Sequence, residues 1–469
     1  MYRTIALVVL ALGCKERPER RDRELAIPTT PLVASDAAPG VDATVKSGTG
    51  WAIVPVVRGN AHATSLVIDA KGRAVIAIAF EGSIELSDGT KLEGRPQGIV
   101  LAAVAPDGTI AWKRTLSDDT TLSDVHVAVD SHDATVIAAG LAGSIAGCPG
   151  GAQTSAGSRD IWLAKLAADG TFAWCARHGG SEPDRPAEVV VDASDHIVVA
   201  GYYAGSVDFG GRKLPGTNDA EMFVARYAPD GKLVYANRIS GGGSTTSELY
   251  DVAVDGKGTA VAVGGFGEKL DLGGTPLAGE KGKPLQTYLA AYAATGKLAW
   301  STAYHSGSMT LMNAIEIDHA GRVVLAGSDM NVPVDQNHMT SFEASSGRPV
   351  AGSMTTMLAS LGPDHKPAWS LPIGGAAMGD TSTIAIADND DIVIAGDVET
   401  APFGDAQLAQ VKTYAARVSA AGKLVWVRAI PKAAGITAYP RVAARGATVV
   451  FAAQTGEGAD RALVLLRPE

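Results

Sequence analysis

The sequence predicts an all-β protein built from a short unit that repeats along the chain. An aromatic residue recurs about every 62 residues, each time close to a Gly-containing turn. Glycine is frequent, at 55 of 469 residues, which indicates many tight turns. No long helical period competes with the short runs of Val, Ile, Ala and aromatic residues. The recurring aromatic residues are Trp51, Trp112, Trp174, Tyr235, Trp300, Trp369 and Trp426.

Three further strands are predicted in each unit. The first reads VHVAVD or AEVVVD, the second IVVAGYY, and the third IWLAKLA or MFVARYA. Four short strands per unit, repeated seven times, are typical of a seven-bladed β-propeller with four-stranded blades. The first strand ends at Asp69, Asp130, Asp192, Asp255, Asp318 and Asp388, and at Ala444 in the weaker seventh copy.

The aromatic strand is offset from the other three, and this offset predicts how the ring closes. Trp51 precedes the first complete unit, whereas a further aromatic strand after Trp426 would fall beyond residue 469. The segment Trp51 to Val57 is therefore predicted to supply the fourth strand of the seventh blade, beside Ala462 to Arg467. Such an overlap leaves no open strand edge at the seam.

The N-terminus resembles a bacterial lipoprotein signal. Arg3 precedes an apolar run from Ile5 to Leu12, and Gly13 and Cys14 are followed at once by charge. The run is too short to span a bilayer. The resemblance implies a signal peptide at residues 1–13, a lipidated Cys14 with a flexible tether at 14–48, and the propeller at 49–469. It also implies the cell envelope of a Gram-negative bacterium, at the outer membrane or cell surface. The alternatives are an ordinary secretory peptide cut nearby and a buried N-terminal segment.

Two cysteines remain if Cys14 carries lipid. In an exported protein, Cys148 and Cys175 are candidates for a disulfide, with two buried thiols as the alternative. The second and fourth strands of a blade lie about 10 Å apart, beyond the reach of a disulfide. The bond therefore requires the Gly- and Pro-containing loop from Ala146 to Ser158 to fold over the third strand.

Composition and motifs exclude several function classes. Lys and Arg number 40 against 50 Asp and Glu, a net charge of −10, which argues against nucleic-acid binding. The chain has no HExxH, GxSxG or Walker-type phosphate loop. We therefore predict no catalytic residue, no metal site and no cofactor. The propeller is also predicted to be monomeric.

The repeat is similar to the SBBP-type repeat of exported bacterial propellers. Its unit is matched by VVVD, IVVAG and AEMFVARYAPDG before Tyr235, and by DIWLAKLAADGTFAW before Cys175. The resemblance implies the architecture and is nearly silent on activity. The turn-plus-Trp pattern also resembles quinoprotein dehydrogenases, which bind pyrroloquinoline quinone and calcium. Their blades usually number eight, and the adjacent Cys-Cys pair of many such enzymes is absent here.

The repeated Asp and Trp residues have structural interpretations. Each Asp stands at a strand end, where its carboxylate can accept hydrogen bonds from turn amides. A metal cage is the less favoured alternative. The repeated Trp is predicted to pack between blades.

Long polar loops join each aromatic strand to the next blade, and loops on rigid scaffolds carry binding function. Asp184, Glu248 and Asp380 are the acidic candidates there. The sequence favours a binding platform that recognises a protein or a glycan through this loop face. The alternatives are a hydrolase- or lyase-like propeller enzyme with a carboxylate or metal site at the channel mouth, and a structural envelope module.

Overall fold

The computed structural model describes most of the chain beyond the N-terminal segment. The described residues are 45–47, 51–119, 121–216, 220–241, 247–274, 276–279, 285–304, 309–330, 354–376, 382–398, 413–430, 440–456 and 461–468. Cys14, the predicted signal and tether, and Asp380 lie outside them. Among the described residues there is no helix, and hence none that could cross a membrane.

The described residues form antiparallel β-sheets. The strands in chain order are β1 (Val45–Ser47), β2 (Trp51–Ile68), β3 (Ala74–Leu86), β4 (Lys91–Val104), β5 (Ile110–Ser117), β6 (Leu122–Val129), β7 (Thr135–Leu141), β8 (Ser144–Ile145), β9 (Gln153–Thr154), β10 (Asp160–Leu166), β11 (Phe172–His178), β12 (Asp184–Val191), β13 (Ile197–Tyr203), β14 (Val207–Asp208), β15 (Lys213–Leu214), β16 (Glu221–Tyr227), β17 (Leu233–Ile239), β18 (Glu248–Val254), β19 (Ala260–Phe266), β20 (Lys269–Leu270), β21 (Leu277–Ala278), β22 (Gln286–Tyr292), β23 (Leu298–Tyr304), β24 (Met309–Ile317), β25 (Val323–Met330), β26 (Met354–Leu361), β27 (Pro367–Ala376), β28 (Ser382–Ile386), β29 (Ile392–Asp397), β30 (Thr413–Val418), β31 (Leu424–Ala429), β32 (Arg441–Arg445), β33 (Thr448–Thr455) and β34 (Ala462–Pro468).

Five sheets have four strands each, ordered as in the chain. They are β6-β7-β10-β11, β12-β13-β16-β17, β18-β19-β22-β23, β24-β25-β26-β27 and β28-β29-β30-β31. The remaining long sheet runs β32-β33-β34-β2-β3-β4-β5, with β1 paired to β2. Three two-stranded hairpins, β8-β9, β14-β15 and β20-β21, lie in the chain between the second and third main strands of their units. The recurring apolar strands and turns predicted these four-strand units, and the structure confirms them.

Strand β2 belongs to both halves of the long sheet. Its first part pairs with β34, from Trp51 opposite Pro468 to Arg58 opposite Ala462. Its second part pairs with β3, ending at Ile68 opposite Ala74. The pairing of Trp51 to Val57 with Ala462 to Arg467 is the one that the sequence predicts.

We call the strand that opens each four-strand unit a first strand: β2 in its second part, β6, β12, β18, β24, β28 and β32. Consecutive first strands contact one another, and β32 contacts β2. Seven hydrophobic clusters among the described residues each combine side chains of two consecutive units, including one between the β32 and β2 units. The core is thus divided among the interfaces between sheets.

The repeated aromatic residues pack between units, as predicted. Trp174 donates its indole N–H to Pro229 O of the next unit at 3.2 Å, and its ring lies against Gly231, which has φ +84°. A Cβ on Gly231 would lie 3.2 Å from the ring, so the turn glycine supplies both the left-handed conformation and the close approach. In the β24 unit His365 adopts φ 61° in place of glycine and stacks on Trp300, with ring centroids 3.9 Å apart.

This packing predicts a difference between two glycines of equal backbone conformation. Gly296 and Gly89 both have φ +83°. A Cβ on Gly296 would lie 2.7 Å from Cγ of Tyr235, whereas one on Gly89 would meet nothing within 4 Å. Both Ala variants carry the left-handed strain, but only Gly296→Ala overpacks the interface. We expect Gly296→Ala to lower the free energy of unfolding by about 1–3 kcal/mol more than Gly89→Ala in urea titrations. Equal losses of unfolding free energy in the two variants would contradict the close packing of Gly296 against Tyr235.

Trp51 departs from the repeat by one residue. Trp174 and Trp426 pair with Lys165 and Arg417 of their third strands, but Arg467, which follows LVLL at the corresponding place in β34, pairs with Ala52. The fully buried Trp51 ring packs edge-on against Trp426 at 6.2 Å. Trp51 therefore takes the position against Trp426 that a turn of the following unit takes against residues such as Trp174.

The repeated Asp residues hold the turns, as predicted. Oδ1 of Asp69 accepts hydrogen bonds from the amides of Lys71 and Arg73 at 2.9 Å. The same pair of bonds is formed by Asp130, Asp192, Asp255 and Asp318. Asp388 differs, because it accepts from the amide of Gly446 in the neighbouring turn at 2.9 Å.

A disulfide joins Cys148 and Cys175, with Cα atoms 5.8 Å apart. Cys148 lies in the loop between β8 and β9, and Cys175 lies in β11 opposite Ala164 of β10. The loop therefore crosses the third strand toward the outer strand, and the predicted bond is confirmed.

Candidate ligand site in the channel

The first strands line a cavity of about 620 Å³, within the range of small-molecule sites. One side chain from each unit occupies the same register, opposite a small second-strand residue. These positions are Ser65, His126, Glu188, Asp251, Ala314, Thr383 and Arg441, opposite Ala77, Ala138, Ala200, Val263, Ala326, Ala395 and Ala452. We call them the channel ring.

A backbone irregularity aims these side chains. The pairing register shifts immediately before the ring residue in β2, β6, β12, β18 and β24. Bulges of this kind redirect a side chain and are common beside binding sites.

Hydrogen bonds tie ring residues to the following first strand. His126 Nδ1 lies 3.2 Å from Oε2 of Glu188, and Asp251 Oδ2 accepts from the amide of Ile315 at 3.0 Å. Arg441 donates from Nε to Thr64 O at 3.0 Å. The ring side chains are thereby held in place from two neighbouring sheets.

Three carboxyl groups lie on consecutive first strands β12, β18 and β24. Burial raises the pKa of Glu188, but His126 and Arg441 outweigh it and hold that pKa below its usual range. Burial raises the pKa of Asp251 well above its usual range, with further contributions from Glu188 and Glu316. Glu316 lies two residues beyond the ring position of β24, and burial together with Glu188 raises its pKa to about 8. Near neutral pH the carboxyl groups of Asp251 and Glu316 therefore hold protons. We call Glu188, Asp251 and Glu316 together the acidic wall.

Basic groups come from β2 and β32, and Arg441 lines the same cavity. Burial lowers the pKa of Arg441, and the charge of Glu188 opposes this. Burial and Arg441 lower the pKa of His62, with Glu81 opposing. An imidazole with a lowered pKa is neutral at pH 7. The guanidinium groups that line the cavity from β32 are those of Arg441 and Arg445.

The raised pKa of Glu316 predicts a pH-dependent stability. Between its ordinary value of 4.5 and about 8, the folded protein holds a proton that the unfolded chain releases. The free energy of unfolding therefore falls as pH rises through this window. We expect Glu316→Gln to remove part of that loss, measured by urea titration at pH 5 and pH 8.5. The control is Glu93→Gln at an exposed strand position. An unchanged dependence of unfolding free energy on pH in Glu316→Gln would contradict a half-buried Glu316 that holds its proton in the folded protein.

The acidic residues predicted from the loops occupy different environments. Asp184 is wholly buried and accepts from the amide of Gly180 at 2.9 Å. Burial, with Asp160 nearby, raises the pKa of Asp184 to about 7. Glu248 is half-buried and accepts a hydrogen bond from the hydroxyl of Tyr250. The structure does not place Asp184 or Glu248 among the residues that line the channel, and their binding roles stay predictions.

A separate group lies at the turns of two neighbouring units. Ligand atoms of Asp130, His132 and Asp195 lie within 4.8 Å of one another. Asp130 already caps its turn and pairs with Lys165 at 2.7 Å, while Asp195 accepts from the amide and hydroxyl of Ser131. These oxygens hold the turns together.

The sequence carries a signal for the channel ring that lies in its strands and not in its turns or loops. His126, Glu188 and Asp251 each stand four residues before the turn Asp, within VHVAVD, EVVVD and DVAVD. An ionisable residue inside an aliphatic strand is unusual. Its repetition at one register in three consecutive units points to a shared surface.

No protein-family model matches the chain, and no curated protein sequence matches it. Among solved structures, the chain is similar to the polysaccharide lyase Uly1, with a TM-score of 0.46 and 8% identity over 87% of this chain and 90% of that one. It is also similar to a gluconolactonase from Xanthomonas campestris, with a TM-score of 0.35 and 15% identity over 74% and 86%. For the Trypanosoma rangeli sialidase the TM-score is 0.39, with 10% identity over 91% and 57%. TM-scores below 0.5 assign neither a fold nor an activity to this chain.

Proposed function

We propose that the seven four-strand units are the blades of one closed propeller, with β2 and β34 joining the last blade to the first. Two observations support this arrangement. The first strands contact one another in chain order and β32 returns to β2. A hydrophobic cluster lies at each of the seven interfaces, including the one between the last and first units.

We propose that the channel of this propeller binds a small polar ligand. The observation that carries the proposal is the channel ring, where one register of seven strands places His126, Glu188, Asp251 and Arg441 around one cavity. Ionisable groups withdrawn from water are costly unless they are paired, and these four half-buried side chains converge on open volume. A glycan unit belongs to this class of ligand. The proposed site is the channel, whereas the sequence favoured the loop face.

A second candidate function is acid–base catalysis in the same channel, in a hydrolase- or lyase-like reaction. Glu316 keeps its proton near neutral pH, whereas the pKa of Glu188 lies below its usual range. Two carboxyl groups whose environments separate their pKa values can serve as general acid and general base. Turnover of a bound ligand that Glu316→Gln abolishes without preventing binding would distinguish catalysis from binding alone.

Ligand-observed NMR with a library of monosaccharides, sugar acids, amino acids and dipeptides tests channel binding. We expect compounds that bind the full chain to lose at least tenfold in affinity with Glu188→Gln combined with Asp251→Asn. The control Glu93→Gln changes an exposed carboxyl group and should leave binding intact. Compounds that bind the double variant equally well, or a library without any binder, would contradict the channel site.

We propose that the chain is tethered to a membrane through lipid on Cys14, in keeping with its signal-like N-terminus. Stable anchoring normally needs more than one acyl chain, and a lipoprotein cysteine supplies this at one residue. We expect the original chain to partition into the detergent phase and Cys14→Ser to remain in the aqueous phase. Equal partitioning of the two proteins would argue against lipidation.

A further inference from the structure

We propose that the channel ligand is a zwitterion of the amino-acid or dipeptide class. Its ammonium group would lie against Glu188, Asp251 and Glu316, and its carboxylate would lie toward Arg441. This inference rests on the proposed channel site and names the chemistry that the site selects.

The charges in the channel are divided by side. The carboxyl groups come from the consecutive first strands β12, β18 and β24. The basic groups His126, Arg441 and Arg445 come from β6 and β32, and β2 contacts both of these strands. His319 also lines the cavity, at the turn after β24, where its Nδ1 lies 2.7 Å from Oδ1 of Asp390. In a seven-bladed ring, β32 lies opposite β12 and β18. A ligand that spans the channel therefore meets an acidic wall at one end and a guanidinium at the other.

The acidic wall offers hydrogen-bond acceptors for a group that can only donate hydrogen bonds. Asp251 accepts one backbone amide on each carboxylate oxygen, from Val252 at 2.7 Å and Ile315 at 3.0 Å. A carboxylate has about four acceptor positions, so capacity remains on both oxygens. Asn313 lines the same cavity, and its Oδ1 is buried with no hydrogen-bond partner among the described residues. An ammonium group has three donors and no acceptor, which fits this set of oxygens.

The guanidinium group of Arg441 is held in an orientation that suits the binding of an anion. Its Nε is fixed to Thr64 O at 3.0 Å, and a guanidinium presents further donors in a planar fork that matches a carboxylate. Arg445 donates from Nη1 to Ile68 O at 3.3 Å on the same strand pair. The anchored Arg441 orients the ligand carboxylate away from Glu188.

An organic cation fits this wall better than a metal ion does. A metal site needs several ligand atoms close together, and the described part of the chain brings three such side chains within 4.8 Å only at Asp130, His132 and Asp195. The channel carboxyl groups are spread over three strands, and the cavity of about 620 Å³ has room for a dipeptide.

Binding should also release protons. Burial without a compensating cation raises the pKa of Asp251 and brings that of Glu316 to about 8. An ammonium group placed beside them favours the ionised carboxylates and lowers these pKa values. The other titratable or charged groups lining this cavity are Glu188, His126, Arg441, Arg445, Tyr250 on the strand of Asp251, and His319, which pairs with Asp390. At pH 7 the carboxyl groups of the acidic wall would therefore lose protons when the ammonium arrives.

Isothermal titration calorimetry of the full chain with alanyl-alanine tests the proposal. The matched probes are its N-acetyl derivative and its C-terminal amide, each titrated in phosphate and in Tris. We expect alanyl-alanine to bind, and each modified probe to bind at least tenfold more weakly. The enthalpy should differ between buffers by the amount expected for proton release, and Glu316→Gln should reduce that difference.

The outcomes separate this inference from the channel site itself. If monosaccharides bind with the Glu188 and Asp251 dependence described above but alanyl-alanine does not, the zwitterion is wrong and the channel site stands. Equal affinity for alanyl-alanine and its N-acetyl derivative would also overturn the ammonium contact. If no probe binds and the channel variants change nothing, both proposals fail.

Discussion

Removal of residues 1–58 should abolish stable folding. This deletion takes away the part of β2 that pairs with β34 and the buried side chains Trp51, Val54, Val56 and Val57. Each buried side chain of this size contributes about 1.5–3 kcal/mol, so the total approaches the whole stability of a typical domain, about 5–15 kcal/mol. The open edge of β34 would also promote aggregation. Circular dichroism, thermal melting and light scattering measure the outcome.

Removal of residues 1–44 is the matched control. It shortens the chain but leaves the pairing of β2 with β34 and with β1 intact. We expect this shorter deletion to melt like the full chain. A protein lacking residues 1–58 that also melts like the full chain would contradict the role of this strand in closing the structure.

Reduction of the disulfide should lower the free energy of unfolding by about 3–4 kcal/mol. The bond closes a loop with a sequence separation of 27 residues, and the chain-entropy model assigns that magnitude to a loop of this length. Urea titration of the oxidised and the reduced protein measures the difference without changing a side chain. Cys148 is buried in the cluster that includes Trp162, so the reduced sulfur atoms still fill their space.

A double variant distinguishes the effect of breaking the disulfide from any other effect of the reducing agent. Cys148→Ala with Cys175→Ala should be insensitive to reductant, whereas Cys14→Ser should show the full effect of reduction. If reduction lowers the stability of the double variant as much as that of the original chain, the effect does not come from this disulfide.

Much of the architecture could be predicted because it rests on local repetition. The turn signals and the apolar strands recur at similar intervals, and the strand around Trp51, which precedes the first complete unit, predicts the pairing with the last unit. The one-residue offset of Trp51 could not be predicted. It depends on the pairing of Arg467 with Ala52, which no local pattern encodes.

The candidate site was harder to predict because its members are far apart in sequence. His126, Glu188, Asp251 and Arg441 each occupy a strand that otherwise reads as buried core, and only the common register brings them around one cavity. The loop residues appeared more promising because loops are exposed. Asp184 shows the limit of that rule, since its carboxyl group is wholly buried at the start of β12.

A crystal structure of the protein with alanyl-alanine tests the central claim most directly. The account predicts electron density for the dipeptide within the channel, with its amino end near Asp251 and Glu316 and its carboxylate near Arg441. Density at the loop face instead, or an empty channel at ligand concentrations that saturate binding in solution, would contradict the account.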